Sequence, residues 1–93
     1  MKTTSEFRVI LIVGTAVFRC ATQDVSLHGL TLGSEVPKAF QKTQCLAYIS
    51  HLDMSENIEI PCQVTVESNG VSAVEFVHPR AQEIERLAEW IQA

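Results

Sequence analysis

The sequence predicts a mainly β fold, a small six-stranded antiparallel barrel with one C-terminal α-helix, and three features carry that expectation. From Ile58 to Glu67 the apolar residues Ile58, Ile60, Cys62, Val64 and Val66 fall on every second position, the period of a strand with one face buried. Asn69-Gly70 follows and is the pair favoured by a two-residue hairpin turn, with an extended run, 71–77, behind it. At the C-terminus Ala81, Ile84, Leu87, Ala88 and Ile91 recur at helical spacing after Pro79, a residue suited to the first turn of a helix. Short strands joined by hairpins, with one amphipathic helix to cover an open side, close most simply into a small barrel.

The remaining elements follow in chain order. Residues 7–13 are rich in β-branched side chains and make the first strand, Gly14-Thr15 a tight turn, and 16–23 the second strand. Asp24 to Gly29 carries turn formers between apolar residues and reads as a bend, after which Leu30-Thr31-Leu32 resumes an extended run. Residues 33–43 lack alternation and contain Pro37, so a surface connection with a short helical turn is expected there. A strand at 44–51 precedes the loop Leu52 to Asn57. Pro61, on the polar face of the strand that follows, predicts an edge position or a bulge.

Ninety-three residues make a single domain, 1–93, with one core. An apolar fraction of 46% against 19% charged residues is enough to bury that core and lies outside the composition of disordered segments. The net charge of −4 with only seven Lys and Arg argues against DNA or RNA as a partner, since displacing counterions from a polyanion requires a basic face. Cys20, Cys45 and Cys62 form no CxxC pair and no metal-ligand spacing with His28, His51 or His78, so no metal and no cofactor is expected. They read as free thiols among core hydrophobes in a reducing, cytoplasmic compartment. The apolar run Val9 to Phe18 is too short to span a bilayer, is interrupted by Gly14-Thr15, and is flanked by Glu6 and Arg19 where a signal peptide wants other chemistry. Neither secretion nor membrane insertion is expected.

Catalysis finds no support. The chain has no glycine-rich phosphate loop, HExxH helix or GxSxG elbow. Asp24, Ser26 and His28 are the residue types of a hydrolytic triad, yet they share one turn, where their side chains converge poorly.

The informative segment is Asp24-Val25-Ser26-Leu27-His28-Gly29, a pattern of Asp, any residue, Ser, any two, Gly, followed by the apolar strand Leu30-Thr31-Leu32. It resembles the second signature of PilZ domains, and the late hairpin and closing helix through Leu87, Trp90 and Ile91 are similar to the usual ending of that family, so the likeness covers nearly all of the chain. The resemblance implies a bacterial receptor for cyclic di-GMP acting with a protein partner in motility, pilus or exopolysaccharide control. It also implies a ligand site at Arg8, Asp24, Ser26 and Gly29. Asp24 and Ser26 would meet a guanine edge with short-range acceptors and donors, and Gly29 would allow a turn or a close backbone approach. A structural reading stands beside this one: an Asx or Ser turn that re-aims the chain, with Gly29 at positive φ.

The first signature of the family is an RxxxR pair that clamps phosphates and stacks on guanine. Here Arg8 fits the second arginine and Thr4 stands at the first, so the clamp is half present and weakened affinity is expected. The site is placed where Arg8 meets the Asp24 to Gly29 turn. The alternative is a degenerate PilZ-fold adaptor that binds protein rather than dinucleotide, using the Val36 to Phe40 connection or the helix face as its apolar patch. Arg19 reads as a solvated strand residue, Arg80 and Arg86 as surface partners of Glu83, Glu85 or Glu89, and Trp90 as a barrel-packing aromatic.

Overall fold

A computed structural model describes residues 7–51, 56–66 and 72–92. The strands are β1 (Phe7–Val13), β2 (Ala16–Val25), β3 (Gly29–Leu32), β4 (Gln44–His51), β5 (Ile58–Val66) and β6 (Ser72–Phe76), and helix α1 covers Ala81–Gln92. They close into a barrel in the order β1-β2-β3-β6-β5-β4, and every neighbouring pair is antiparallel. Period-two alternation decides which face of each strand is inside. Phe7, Val9 and Leu11 of β1 point inward, as do Ala47 and Ile49 of β4 and Ile58, Ile60 and Val64 of β5, all nearly inaccessible to solvent. The Asn69-Gly70 turn, Lys2 and Thr4 lie outside the described residues. No helix among the described residues is long and apolar enough to cross a membrane.

The barrel's two ends are closed by different devices. At one end, α1 lays Leu87 and Trp90 into the core. The Trp90 ring sits 6.2 Å from that of His51, which in turn meets Phe7 edge-on at 4.8 Å. At the other end the connection between β3 and β4 folds over the opening. It was expected to be surface, but Val36 and Phe40 are buried and belong to the core. Phe40 rides on a 3-10 turn, Lys38–Phe40, and its ring lies 6.0 Å from Phe18. The Ser72 hydroxyl accepts from the Val36 amide at 3.3 Å, and the Gln41 side-chain amide donates to the Val36 carbonyl at 2.8 Å. Backbone groups thus stay satisfied although an irregular segment enters the core. Val36 and Phe40 of the expected apolar patch are therefore part of the core, as are Leu87 and Trp90 of the helix, while Ile84, Ala88 and Ile91 stay half-exposed.

Two proline expectations change. Pro61 sits in a strand flanked on both sides, by β4 and by β6. Its carbonyl accepts from the Val77 amide at 2.9 Å, just past the end of β6 at Phe76. In a strand the N–H and C=O of one residue point to the same side, so the missing donor faces Val77, just past the end of β6, where the Pro61 carbonyl alone makes the link. Pro79 precedes the helix by two residues, because Arg80 is the N-cap: its carbonyl accepts from the amides of Glu83 and Ile84, while its own amide donates to Glu83 Oε1 at 3.2 Å. Arg80 also pairs with Glu83 at 4.0 Å, but Arg86 pairs with Glu56 rather than with a helix carboxylate.

Cys45 and Cys62 face each other across β4 and β5 as buried free thiols, and Cys20 is half-buried. Burial pushes Cys62 up to about 12 and Cys20 up to about 11 from the usual thiol value of 9.0. The neutral thiol is therefore favoured in the fold. An unfolded chain ionises these groups near pH 9, so their contribution to stability is complete below that pH and is lost as pH rises toward 11 to 12. Chemical denaturation across pH 8 to 11 should show falling stability, and Cys62→Ala should flatten that slope. Phe40→Ala should lower stability by about 3–5 kcal/mol in urea titrations, as for a core aromatic, whereas Lys38→Ala should leave it nearly unchanged.

Candidate functional site

The second half of β2 is where strand regularity breaks. Thr22 pairs with Leu32 and Asp24 with Thr31, so one residue of β2 is left over at Gln23 and forms a bulge. Before the bulge the even-numbered residues turn toward the core, with Thr22 buried; after it Val25 packs against the core and Asp24 is exposed. Without the extra residue, strict alternation would carry the Asp24 carboxylate into the barrel. The bulge is what turns it outward.

The chain then reverses over Ser26 to Gly29. The Ser26 amide donates to the Gly29 carbonyl at 2.9 Å. The Ser26 hydroxyl accepts from the His28 amide at 3.1 Å and the Gly29 amide at 3.3 Å, and also lies 3.3 Å from the Gly29 carbonyl. A hydroxyl offers two acceptor sites and one donor, so this turn uses its full capacity. Ser26 acts by holding the turn, and the exposed His28 is presented by it.

Gly29 is needed for space rather than for φ. Gly14, in the β1–β2 turn, is the described glycine with positive φ, at 58°. Gly29 instead opposes Glu75 on β6, and a Cβ there would overlap the Val74 carbonyl oxygen. The His28 carbonyl accepts from Phe76 N at 3.0 Å, fixing the turn directly to β6. Asp24, Ser26, His28 and Gly29 then line an open groove of about 270 Å³ whose opposite wall includes Thr65 and Glu75. The structure brings three of the four sequence-predicted site residues together. Arg8 is not with them. It is the second residue of β1, opposite Ala21 and Ser50, and lines a separate groove with Arg19, where Cys20 also lies.

Sequence reasoning missed Thr65 and Glu75, which reach the groove only through the pairing of β6 with both β3 and β5. With Asp24 and Glu75 exposed on its walls, the groove favours hydrogen-bond donors over anions. Among the described residues no three His, Cys, Asp or Glu side chains are grouped to hold a metal ion. The raised thiols give no activated nucleophile either, since the thiolate is the reactive form. Ser26→Ala should loosen the turn, read as faster hydrogen exchange at His28 and Gly29 with little change in global stability. Gly29→Ala should be the more damaging variant, lowering the melting temperature by several degrees through separation of β3 from β6.

Comparison with known proteins follows the same lines. No curated protein matches the chain. The fold is similar to that in the crystal structure of the PilZ domain of CeSA from a cellulose-synthesizing bacterium, with a TM-score of 0.70 over 99% of this chain and 95% of that one at 15% identity. The family model for the PilZ domain matches residues 4–93. Closed barrel, capping helix and signature turn thus meet in one assignment: the chain belongs to the PilZ domain family, whose members are regulatory modules of the cyclic di-GMP receptor type.

Proposed function

We propose that this chain is a cyclic di-GMP-sensing module of weakened affinity, with a guanine edge of the dinucleotide held in the groove beside the Asp24 to Gly29 turn. The observation that carries the reading is the bulge at Gln23, which aims the Asp24 carboxylate into the groove where Ser26 and Gly29 also lie. A carboxylate accepts from two adjacent N–H groups, the pattern a guanine edge presents, and such charge-assisted bonds are among the stronger ones. At about 270 Å³ the groove suits one base edge rather than a whole dinucleotide. The phosphates need cations, which the acidic groove wall does not supply. That task falls to the residues at and before β1, where Arg8 is the one arginine of the RxxxR pattern and Thr4 occupies the other place. The module acts in the bacterial cytoplasm and passes its state to a protein partner in motility, pilus or exopolysaccharide control.

The second reading is a PilZ-fold adaptor that has lost the dinucleotide. It is favoured by the position of Arg8, which lines a different groove from Asp24. Calorimetric titration with cyclic di-GMP separates the two. On the sensing reading, Asp24→Ala weakens binding by about tenfold or more, equivalent to ~1.4 kcal/mol, and Arg8→Ala weakens it comparably. Absence of heat, together with unmoved amide resonances from Asp24 to Gly29 at millimolar ligand, would leave the adaptor reading in place.

A further inference from the structure

The groove beside the signature turn offers a ligand mainly hydrogen-bond acceptors. Its lining includes no lysine or arginine. The Ser26 hydroxyl is engaged within the turn, with His28 and Gly29. On the far wall the Thr65 hydroxyl donates to the Ala73 carbonyl at 3.5 Å, which leaves only its lone pairs for a ligand. Asp24 and Glu75 add two exposed carboxylates. Neither has a hydrogen-bond or ion-pair partner among the described residues, whereas Glu83 pairs with Arg80, Glu56 with Arg86, and Glu59 bonds to Tyr48.

Glu75 owes its place to the contact that makes Gly29 necessary. It stands opposite Gly29 on β3 and Gln63 on β5, so no β3 side chain faces it across the strand pair. β3 lies between β2 and β6, and two strand spacings put about 10 Å between the backbones that carry Asp24 and Glu75. The two carboxylates therefore meet a flat ligand from different sides and do not compete for the same hydrogen.

We infer that Glu75 is the residue that makes this groove select guanine, by accepting the N2–H that Asp24 leaves over. The inference rests on the cyclic di-GMP reading above and adds a specificity contact to it. A guanine presents N1–H beside an N2 amino group with two hydrogens. One carboxylate accepts N1–H and the nearer N2–H side by side, which is the part Asp24 takes. The farther N2–H points along the adjoining edge and, once removed from water, requires an acceptor of its own. Glu75 supplies a charged one from the opposite wall. The same walls turn adenine away, because a ring nitrogen with a lone pair stands beside its amino group and would face the Asp24 carboxylate without a hydrogen between them.

The test is calorimetric titration of the full 93-residue chain with cyclic di-GMP and with its hypoxanthine counterpart, cyclic di-IMP, which keeps N1–H and lacks the amino group. Wild type should prefer cyclic di-GMP by about tenfold, and Glu75→Ala should remove that preference by weakening cyclic di-GMP alone. Glu75→Gln, which keeps an acceptor oxygen, should restore part of it. Asp24→Ala should weaken both ligands, since both carry N1–H. Each variant should keep the wild-type circular dichroism spectrum, because both positions are exposed. Three results would overturn the inference while leaving the sensing reading in place: an unchanged preference in Glu75→Ala, an equal loss of both ligands, or tighter binding of both, which would make Glu75 a repelling charge. Failure of wild type to bind either nucleotide would overturn both.

Discussion

The contact on which the rest of this molecule depends is the approach of β3 to β6 at Gly29. β3 has only four residues, and its pairing with β6 runs from Gly29 opposite Glu75 to Thr31 opposite Ala73. The strands come so near that the Val74 carbonyl occupies the place of a side chain. This pairing joins β1 and β2, made early in the chain, to β5 and β6, made late, and closes the ring of strands. It also sets the distance between the signature turn and the far wall of the groove. Stability and site geometry therefore rest on the same missing Cβ.

Around that contact, local irregularities are arranged so that regular structure can present polar groups. The bulge at Gln23 shifts the phase of β2 by one residue, sending Asp24 outward and returning Val25 to the core. The Ser26 hydroxyl satisfies two amides that the reversal would otherwise leave to solvent. Each device is small, worth about 1 kcal/mol for a hydrogen bond of this kind, but together they remove the freedom of a segment with few core contacts of its own. Arg8 and Arg19 lie elsewhere, on β1 and β2, so the two grooves differ in the sign of the charges that line them.

Much of the barrel is legible in the sequence because its strands alternate cleanly. β1 at 7–13 and β4 at 44–51 coincide with their expected bounds, and β5 agrees over Ile58–Val66, beyond which the expected Glu67 lies outside the described residues. The exceptions have physical causes. Val36 and Phe40 sit in a segment without periodicity, so nothing local marks them as a plug for the barrel's end; their burial follows from a gap that exists only once six strands have closed. Pro61 reads as an edge residue because a sequence does not disclose where the neighbouring strand stops. Of the site, the turn was legible and its surroundings were not. The bulge costs one residue and leaves no compositional mark, Glu75 and Thr65 arrive through long-range pairing, and Arg8, opposite Ala21, lines a different groove from Asp24.

The closed ring also governs how such a chain must assemble. β1 pairs with β4 and β3 with β6, each across a long intervening stretch, so neither closing seam forms from neighbours in sequence. Loops must be closed before those contacts reward it, a cost that places all-β domains of this kind among the slower folders, in milliseconds to seconds. Until the last seam zips, β1 and β3 present open edges, and β1 carries the apolar side chains Ile10 and Ile12 on the face that stays outside. That apolar outer face of β1 is thus, during folding, the segment most in need of protection from its own copies.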